Sequence, residues 1–431
     1  MKFTAAGDAL AQKRMPETYD GFEEIKDFIM QGDVRFYNYE SSINYEGECY
    51  ASQFSGGTYV RSNPEVFYDT LKYGFNVTNF NMNHIMDFSY GGLLKTLEYA
   101  EKAEVVHAGV GKNLAEAAAP KYIETENGRV AIISVCSSFN PSIMAGEQSR
   151  RYPGRPGING LRVDTKYVLP KDDFDAIQGI AARLNINAYN EIIRKEGYLA
   201  PLPEDIGEFG DMKFVLGDEH KITTSCNPKD LERIRKSIYE AQEQADYVLV
   251  SIHSHQISGT QKETPGEFLN EFAHFCIDNG ADALVGHGPH LLRAIEVYKE
   301  RPIFYSLGDF LMQLYSVPSA PEDFYQQQNM TSDTSVVDLL KKRSANYTRG
   351  LMEEDKMLET VIPYWETDGK KLTKLILKPV KASKGEGKHI EGLPVPVEGK
   401  EMIERLAELS KSYGVKITYK DGLGVCEWQE D

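Results

Sequence analysis

Short apolar runs that end in a polar, chemistry-bearing residue recur along this chain, and they alternate with helices. Tyr247-Val-Leu-Val-Ser-Ile252 reads as a buried strand that delivers His253 at its carboxyl end. A helix from Pro265 to Asp278 follows, stopped at Gly280; the strand Ala283-Leu-Val285 then delivers His287, and Pro302-Ile-Phe-Tyr-Ser306 leads to Gly308-Asp309. The N-terminal part has the same rhythm. Phe3 to Ala6 runs into Gly7-Asp8, and Phe75-Asn-Val-Thr-Asn-Phe80 runs into Asn83-His84. Strand and helix in alternation specify an α/β fold, whose sites gather at the carboxyl ends of the strands.

Helices fill the intervals. Asn63-Pro64 is a cap and first-turn proline for a helix that ends at Gly74, and a second helix runs from Gly91 to Lys102 before the short strand Val105-Val106. Leu231, Ile234, Ile238 and Ala241 give one apolar face to a helix from Pro228 to Gln244. Asn127-Gly128 and Asp368-Gly369 are two-residue hairpin turns, the second joining Leu358–Glu366 to Leu372–Val380.

Two stretches break the rhythm. Residues 140–226 carry no sheet periodicity beyond a polar helix near Ala188 to Glu196, and are expected to form an inserted lid. Residues 316–356 are polar, rich in Tyr and Gln, and are expected to be a second flap. The domain so outlined covers residues 1–380. Lys381 to Pro396 reads as a linker, and the remainder to 431 as a small helix-strand extension.

Asp8, Glu40, Asn83, His84, His253, His287 and His290 are borderline or hard donors set near strand ends. That is the chemistry a divalent cation needs, and seven donors suffice for up to two ions. Asp8 and Glu40 also fit helix-capping carboxylates. His255 lies two residues beyond His253 and points the same way on an extended chain, so it is open between an acid/base group and a support for the ligands. Asp87, three residues after His84, is placed to hold that imidazole's free N–H. His107, His220, His274 and His389 match no motif. Gly109-Val-Gly-Lys lacks the spacing of a phosphate loop and reads as a tight turn.

The net charge of −17 over 431 residues argues against nucleic acid as a partner. Against that background Arg150, Arg151, Arg155 and Arg162 of the first insertion stand out as an expected anion-binding surface for carboxylates or phosphates, although a solvated basic loop has the same composition. Five scattered cysteines, none in a CxxC pair, read as reduced thiols. The N-terminus has no long apolar signal segment and no window is long enough to span a membrane, so a cytoplasmic chain without a membrane anchor is expected. The oligomeric state is not legible.

The ordered set Gly7-Asp8, Asp33-Val-Arg-Phe-Tyr-Asn-Tyr-Glu40, Asn81-Met-Asn-His84-Ile-Met-Asp87 with Gly91-Gly92, Gly109-Val-Gly-Lys-Asn113 with Glu116-Ala117, His253, Gly286-His287-Gly-Pro-His290 and Tyr305-Ser-Leu-Gly-Asp309-Phe310 resembles the CapA family of capsule and poly-γ-glutamate synthesis proteins. The likeness covers most of residues 1–312 outside the lid, and Arg155-Pro-Gly-Ile-Asn-Gly-Leu-Arg162 resembles a lid segment of some CapA-like proteins.

That family is similar to the calcineurin-like metallophosphoesterases, which implies a four-layer α/β/β/α sandwich and a two-metal site. The likeness implies Asp8, Glu40, His84, His253, His287 and His290 as ligands and Asn83 as an amide ligand that also orients substrate. Three departures stand out: Ala9-Leu10 follows Asp8, so the Asp-x-His pair is missing; Glu40 replaces an Asp; and the last pair is His-x-x-His. One of the two positions is therefore expected to be weaker or to select a different ion.

The resulting expectation is a metal-dependent hydrolase using Mn, Zn, Fe or Ca on a carboxylate-rich peptide of γ-glutamyl type or a phosphorylated small substrate, with His255, Asn83 and Asp87 in the chemistry. A metal-dependent peptide epimerase, a non-catalytic accessory protein of polyglutamate or capsule synthesis, and a binding module with purely structural metal are the alternatives.

Overall fold

The computed structural model describes residues 1–384 and 389–429. Its frame is a mixed α/β arrangement of two large sheets. The first strand, Lys2–Leu10, is longer than the apolar run Phe3–Ala6 because it continues through Gly7-Asp8. It lies inside a ten-stranded sheet, parallel to Val34–Tyr39 and to Asp309–Met312 and antiparallel to Glu359–Asp368. Val77–Asn79 and Val106–Ala108 extend this sheet beyond Val34–Tyr39. The second sheet has six strands, with Tyr247–His253 between Gly128–Cys136 and Ala283–His287 and parallel to both.

One core joins the two sheets. Phe3, Phe36 and Val77 of the larger sheet share it with Val130, Ile132, Leu249 and Val285 of the smaller. Trp365 stacks on Phe3 with ring centroids 5.0 Å apart, and its indole N–H donates to the Tyr247 hydroxyl at 3.3 Å, which satisfies the one polar atom this large ring buries. Helices cover the outer faces. Phe22–Ile29 and Ser89–Lys102 pack their apolar sides on the larger sheet, and Pro228–Gln242 and Glu267–Asp278 on the smaller. Strands covered on both faces must be apolar on both, as the uninterrupted runs in the sequence indicate.

Both hairpins form where their turns place them. The two insertions differ from expectation. Residues 140–226 hold a four-stranded sheet of Ile206–Phe209, Met212–Leu216, Val163–Leu169 and Lys221–Cys226, beside the helices Lys171–Arg183 and Ala188–Lys195. Its strands are rich in Lys, Asp and Thr because the sheet is largely exposed, and so they lack the apolar runs that mark a buried strand. Residues 316–356 contain the helices Glu322–Gln327 and Val336–Arg343 and short 3-10 turns. Phe324, Tyr325 and Leu339 dock them on Tyr59 and Phe88.

In the stretch read as a linker, Pro394–Pro396 pairs with Val380–Ala382, while residues 385–388 lie outside the described residues. The helix Lys400–Ser410 sends Met402, Ile403 and Leu406 into the core between the sheets, and Val415–Lys420 and Leu423–Trp428 complete the edge of the ten-stranded sheet. Among the described residues no helix is long and apolar enough to cross a membrane.

The closest backbone approach in this frame is at Gly7, where a Cβ would stand 1.8 Å from the Gly308 carbonyl oxygen. Only glycine lets the two strand ends carrying Asp8 and Asp309 lie this close. Gly7→Ala is expected to destabilise the protein by about 1–3 kcal/mol, the usual range for overpacking. A thermal midpoint lowered by several degrees would show it, and an unchanged midpoint would mean that the strands separate freely.

Candidate metal centre

Strand register brings the polar residues into rows. In the larger sheet Asp309 stands beside Asp8, Asp8 beside Asn38, and Asn38 beside Asn79; in the smaller sheet His253 stands beside His287. The two rows meet. His253 Nδ1 lies 3.0 Å from His287 Nδ1 and 3.8 Å from Asp8 Oδ1, and His253 Nε2 lies 3.5 Å from Glu40 Oε1. His290 Nδ1 lies 2.9 Å from Asp309 Oδ1 and 3.9 Å from Glu40 Oε2.

Three overlapping donor groups result: Asp8, His253 and His287; Glu40, His253 and His255; and Asp8, Glu40, His290 and Asp309. Asp8 and Glu40 each belong to two groups, as carboxylates shared between neighbouring cations would. The loop from His287 to His290 is shaped for this convergence. Gly288 has φ +116° and packs so closely on the His253 and His255 rings that a Cβ would stand 2.8 Å from His255 Cδ2, and His290 itself adopts φ +61°.

Amides hold the carboxylates in place. Asn38 Nδ2 donates to Asp8 Oδ1 at 2.6 Å, the Gly288 N–H donates to Asp8 Oδ2 at 2.8 Å, and Asn79 Nδ2 donates to Asn38 Oδ1 at 2.5 Å. Asn83 and His84 sit on the adjoining loop. His84 Nδ1 lies 2.7 Å from Asp87 Oδ2, the position expected for the group that takes the ring's second nitrogen, and the Gly56 and Val60 N–H groups donate to the same carboxylate at 2.9 Å. Asn83 Nδ2 donates to the Gly56 carbonyl at 3.0 Å. His84 lies outside the three donor groups, and it lines the adjoining cavity together with Asn83, His255 and His290.

Several donor atoms of this cluster are left without partners. Asp8, Glu40 and Asp309 are fully buried, and both Glu40 oxygens, Asp309 Oδ2, His287 Nε2 and Asn83 Oδ1 make no hydrogen bond among the described residues. Such groups are costly to bury unpaired. Burial, reinforced by Asp309, pushes Asp8 up to about 7, and burial also raises Asp309 and, with help from Asp8, Glu40. Burial lowers His287 to about 3 and holds His253 and His255 well below the ordinary imidazole value. At His290 burial opposes the charge, but Asp309, Glu40 and Asp8 outweigh it and raise the ring to about 10. The neutral imidazoles of His253, His255 and His287 and the crowded carboxylate oxygens with open lone pairs are a donor set that fits divalent ions of borderline or hard character, which would displace the proton that the carboxylates hold on His290.

The basic residues lie elsewhere than the sequence suggests. Arg162 forks onto Asp230 at 2.8 and 2.9 Å, Arg155 donates to the Met144 carbonyl, and Arg150 and Arg151 are exposed. None of the four lines the cavity above the donors, where Lys262, Arg343 and Arg349 do. Sequence reasoning also leaves Asp309 and Asn38 without a role. Gly308-Asp309 repeats the Gly7-Asp8 pattern one strand away, which was the available signal for Asp309; no signal marks Asn38.

Residues 2–314 match the protein family described as bacterial capsule synthesis protein PGA_cap. The uncharacterized protein y4sH of Sinorhizobium fredii is 30% identical over 98% of this chain and 92% of its own length. Capsule biosynthesis protein CapA of Bacillus anthracis is 21% identical over 79% of this chain and 67% of its own. A probable polyglutamine synthesis accessory protein of Mycobacterium tuberculosis is 24% identical over 53% of this chain and 42% of its own.

If these donors hold metal, loss of His253, which belongs to two of the groups, should cost most of it. His253→Ala is expected to abolish tight binding, and Asn38→Ala, which frees Asp8 from its amide, to weaken it by roughly 10-fold to 100-fold, the usual effect of removing a partner that orients a ligand. Elemental analysis of purified protein and titration of Mn and Zn into chelated protein measure both. Metal content equal to wild type in His253→Ala would remove the assignment.

Proposed function

The chain belongs to the bacterial capsule synthesis protein family PGA_cap, and on that premise we propose that it is a metal-dependent hydrolase with a binuclear-type centre, built as a four-layer metallophosphoesterase-like sandwich. Its substrate is a carboxylate-rich peptide of γ-glutamyl type or a phosphorylated small molecule. The observation that carries this reading is a cluster of buried, unpartnered donor atoms whose members His255 and His290 also line an open cavity. A structural ion has no need of a cavity beside it, whereas hydrolysis needs room for substrate and water.

Asp8, Glu40, Asp309, His253, His255, His287 and His290 would hold up to two divalent ions, with Asn83 and His84 at the cavity side. Ions bound there would supply Lewis acidity toward a carbonyl or phosphoryl oxygen. The remaining work falls to the chain itself. Asn38 and the Gly288 N–H fix the Asp8 carboxylate. Asp87 fixes the His84 ring and leaves its Nε2 toward other partners. Asn83, anchored through its Nδ2, keeps Oδ1 uncommitted at the cavity and so can orient a bound group.

His255 has more than one use. Its Nε2 lies 3.0 Å from His253 Nε2 and belongs to the group with Glu40, so it supports the ligand set as well as facing the cavity. An accessory role in polymer synthesis without turnover is the second reading, favoured by the name of the Mycobacterium tuberculosis relative.

Metal-loaded protein assayed against a phosphodiester, a γ-glutamyl peptide and a peptide whose α-hydrogen exchanges with deuterium separates hydrolysis, epimerisation and an accessory role. Hydrolysis of one of the first two is the expected result. His255→Ala should then lose at least roughly 10²-fold in turnover, with bound metal falling in the same sample. No turnover of any substrate by wild type carrying its full metal content would favour the accessory role.

A further inference from the structure

The cavity above the donor cluster has a volume of about 490 Å³. Part of its lining comes from the second insertion, which contributes Arg343 and Arg349, and Lys262 reaches it from the loop that follows His255. Against these three cations the lining offers one carboxylate, Glu354. In a chain of net charge −17 this is a local reversal of sign, and a positive cleft with low-dielectric walls concentrates anions.

Arg343 is the best placed of the three. It ends the helix Val336–Arg343, its guanidinium lies over the Phe324 ring at 5.2 Å, and its Nη1 donates to the Thr58 hydroxyl. Among the described residues its Nε and Nη2 have no hydrogen-bond acceptor and no carboxylate pairs with it. Burial lowers its pKa with nothing to offset the cost. A half-buried guanidinium kept in one pose by a ring and a hydroxyl, with donors left over, is pre-organised for an incoming oxyanion. The cavity also presents an apolar share of its lining, with Leu10, Leu314, Leu340, Leu351 and Met352.

Resting on the hydrolase reading above, we propose that Arg343, flanked by Arg349 and Lys262, is an oxyanion subsite that grips a carboxylate or phosphate of the substrate while the scissile group faces the donor cluster. The substrate is then a small molecule with an anionic group apart from the bond to be cut and with apolar surface for the remaining lining. The subsite belongs to the second insertion and not to the arginines of the first.

Calorimetric titration of glutarate and of inorganic phosphate tests this on protein as purified and after chelation, since bound metal would itself attract phosphate. Chelated wild type is expected to bind at least one of the two, more weakly as salt rises, and the tighter one names the group recognised. Arg343→Gln should weaken binding by roughly tenfold to a hundredfold, the loss expected for charge-assisted hydrogen bonds. Arg349→Ala and Lys262→Ala, both at exposed side chains, should each weaken it by about twofold to fivefold.

If Arg343→Gln fails to fold, these two variants decide. Unchanged affinity across the folded variants, or no binding of either anion by wild type, would overturn the subsite. The titration needs no turnover, so anion binding through Arg343 in a protein that hydrolyses nothing would sink the hydrolase reading and leave the subsite. Hydrolysis with the same KM in Arg343→Gln would do the reverse.

Discussion

Everything at the centre of this protein follows from three carboxylates buried where two sheets meet. Asp8, Glu40 and Asp309 are shielded from water, and several of their oxygens find no donor among the described residues. Carboxylates so placed either take up protons or share a cation, because unpaired charge in a low-dielectric interior is too costly to keep. The surroundings keep them in place instead of relieving them. Asn38 and Asn79 form an amide relay that braces Asp8 from one side, and the Gly288 N–H braces it from the other. The close approach of Gly7 to Gly308 keeps Asp8 and Asp309 side by side even though like charges repel.

Much of this was legible in the sequence, and for a physical reason. A strand buried on both faces must be apolar throughout, so a histidine or aspartate directly after such a run stands out; His253, His287 and Asp8 are marked in this way. Their meeting could be anticipated because parallel strands end at the same edge. Asn38 could not be anticipated: it sits within a strand, two residues before Glu40, and its importance comes only from the register that sets it beside Asp8. The sheet of residues 163–226 was illegible for the opposite reason. Its strands face solvent and carry mixed polar sequence, which resembles a loop.

The arginines show the limit of composition. Four of them clustered in one acidic chain suggested an anion surface, but sequence proximity does not say which way side chains point. Arg162 is taken up by Asp230 at the start of the helix Pro228–Gln242, where the fork of two hydrogen bonds ties the insertion to the core. Arg343 follows Lys341-Lys342 at the end of a helix, where a basic run reads as a solvated helix terminus, yet the folding of residues 316–356 brings it and Arg349 into the cavity lining.

The second insertion is anchored by Phe324, Tyr325 and Leu339 on Tyr59 and Phe88, a patch apart from the large sheet-to-sheet core. Val317 and Leu340 on Val60, and Met352 on Leu10 and Met312, add two further small contacts, so opening of the insertion is expected to cost less than global unfolding. Two grades of rigidity around one cavity are therefore expected, sheet ends tied into the large core and a helical cover held by smaller contacts. Amide hydrogen exchange in residues 322–343 would run ahead of exchange in the strands Lys2–Leu10 and Tyr247–His253. Sequence change in the cover, which supplies Arg343 and Arg349 to the cavity, can thus alter the lining without touching the donor residues.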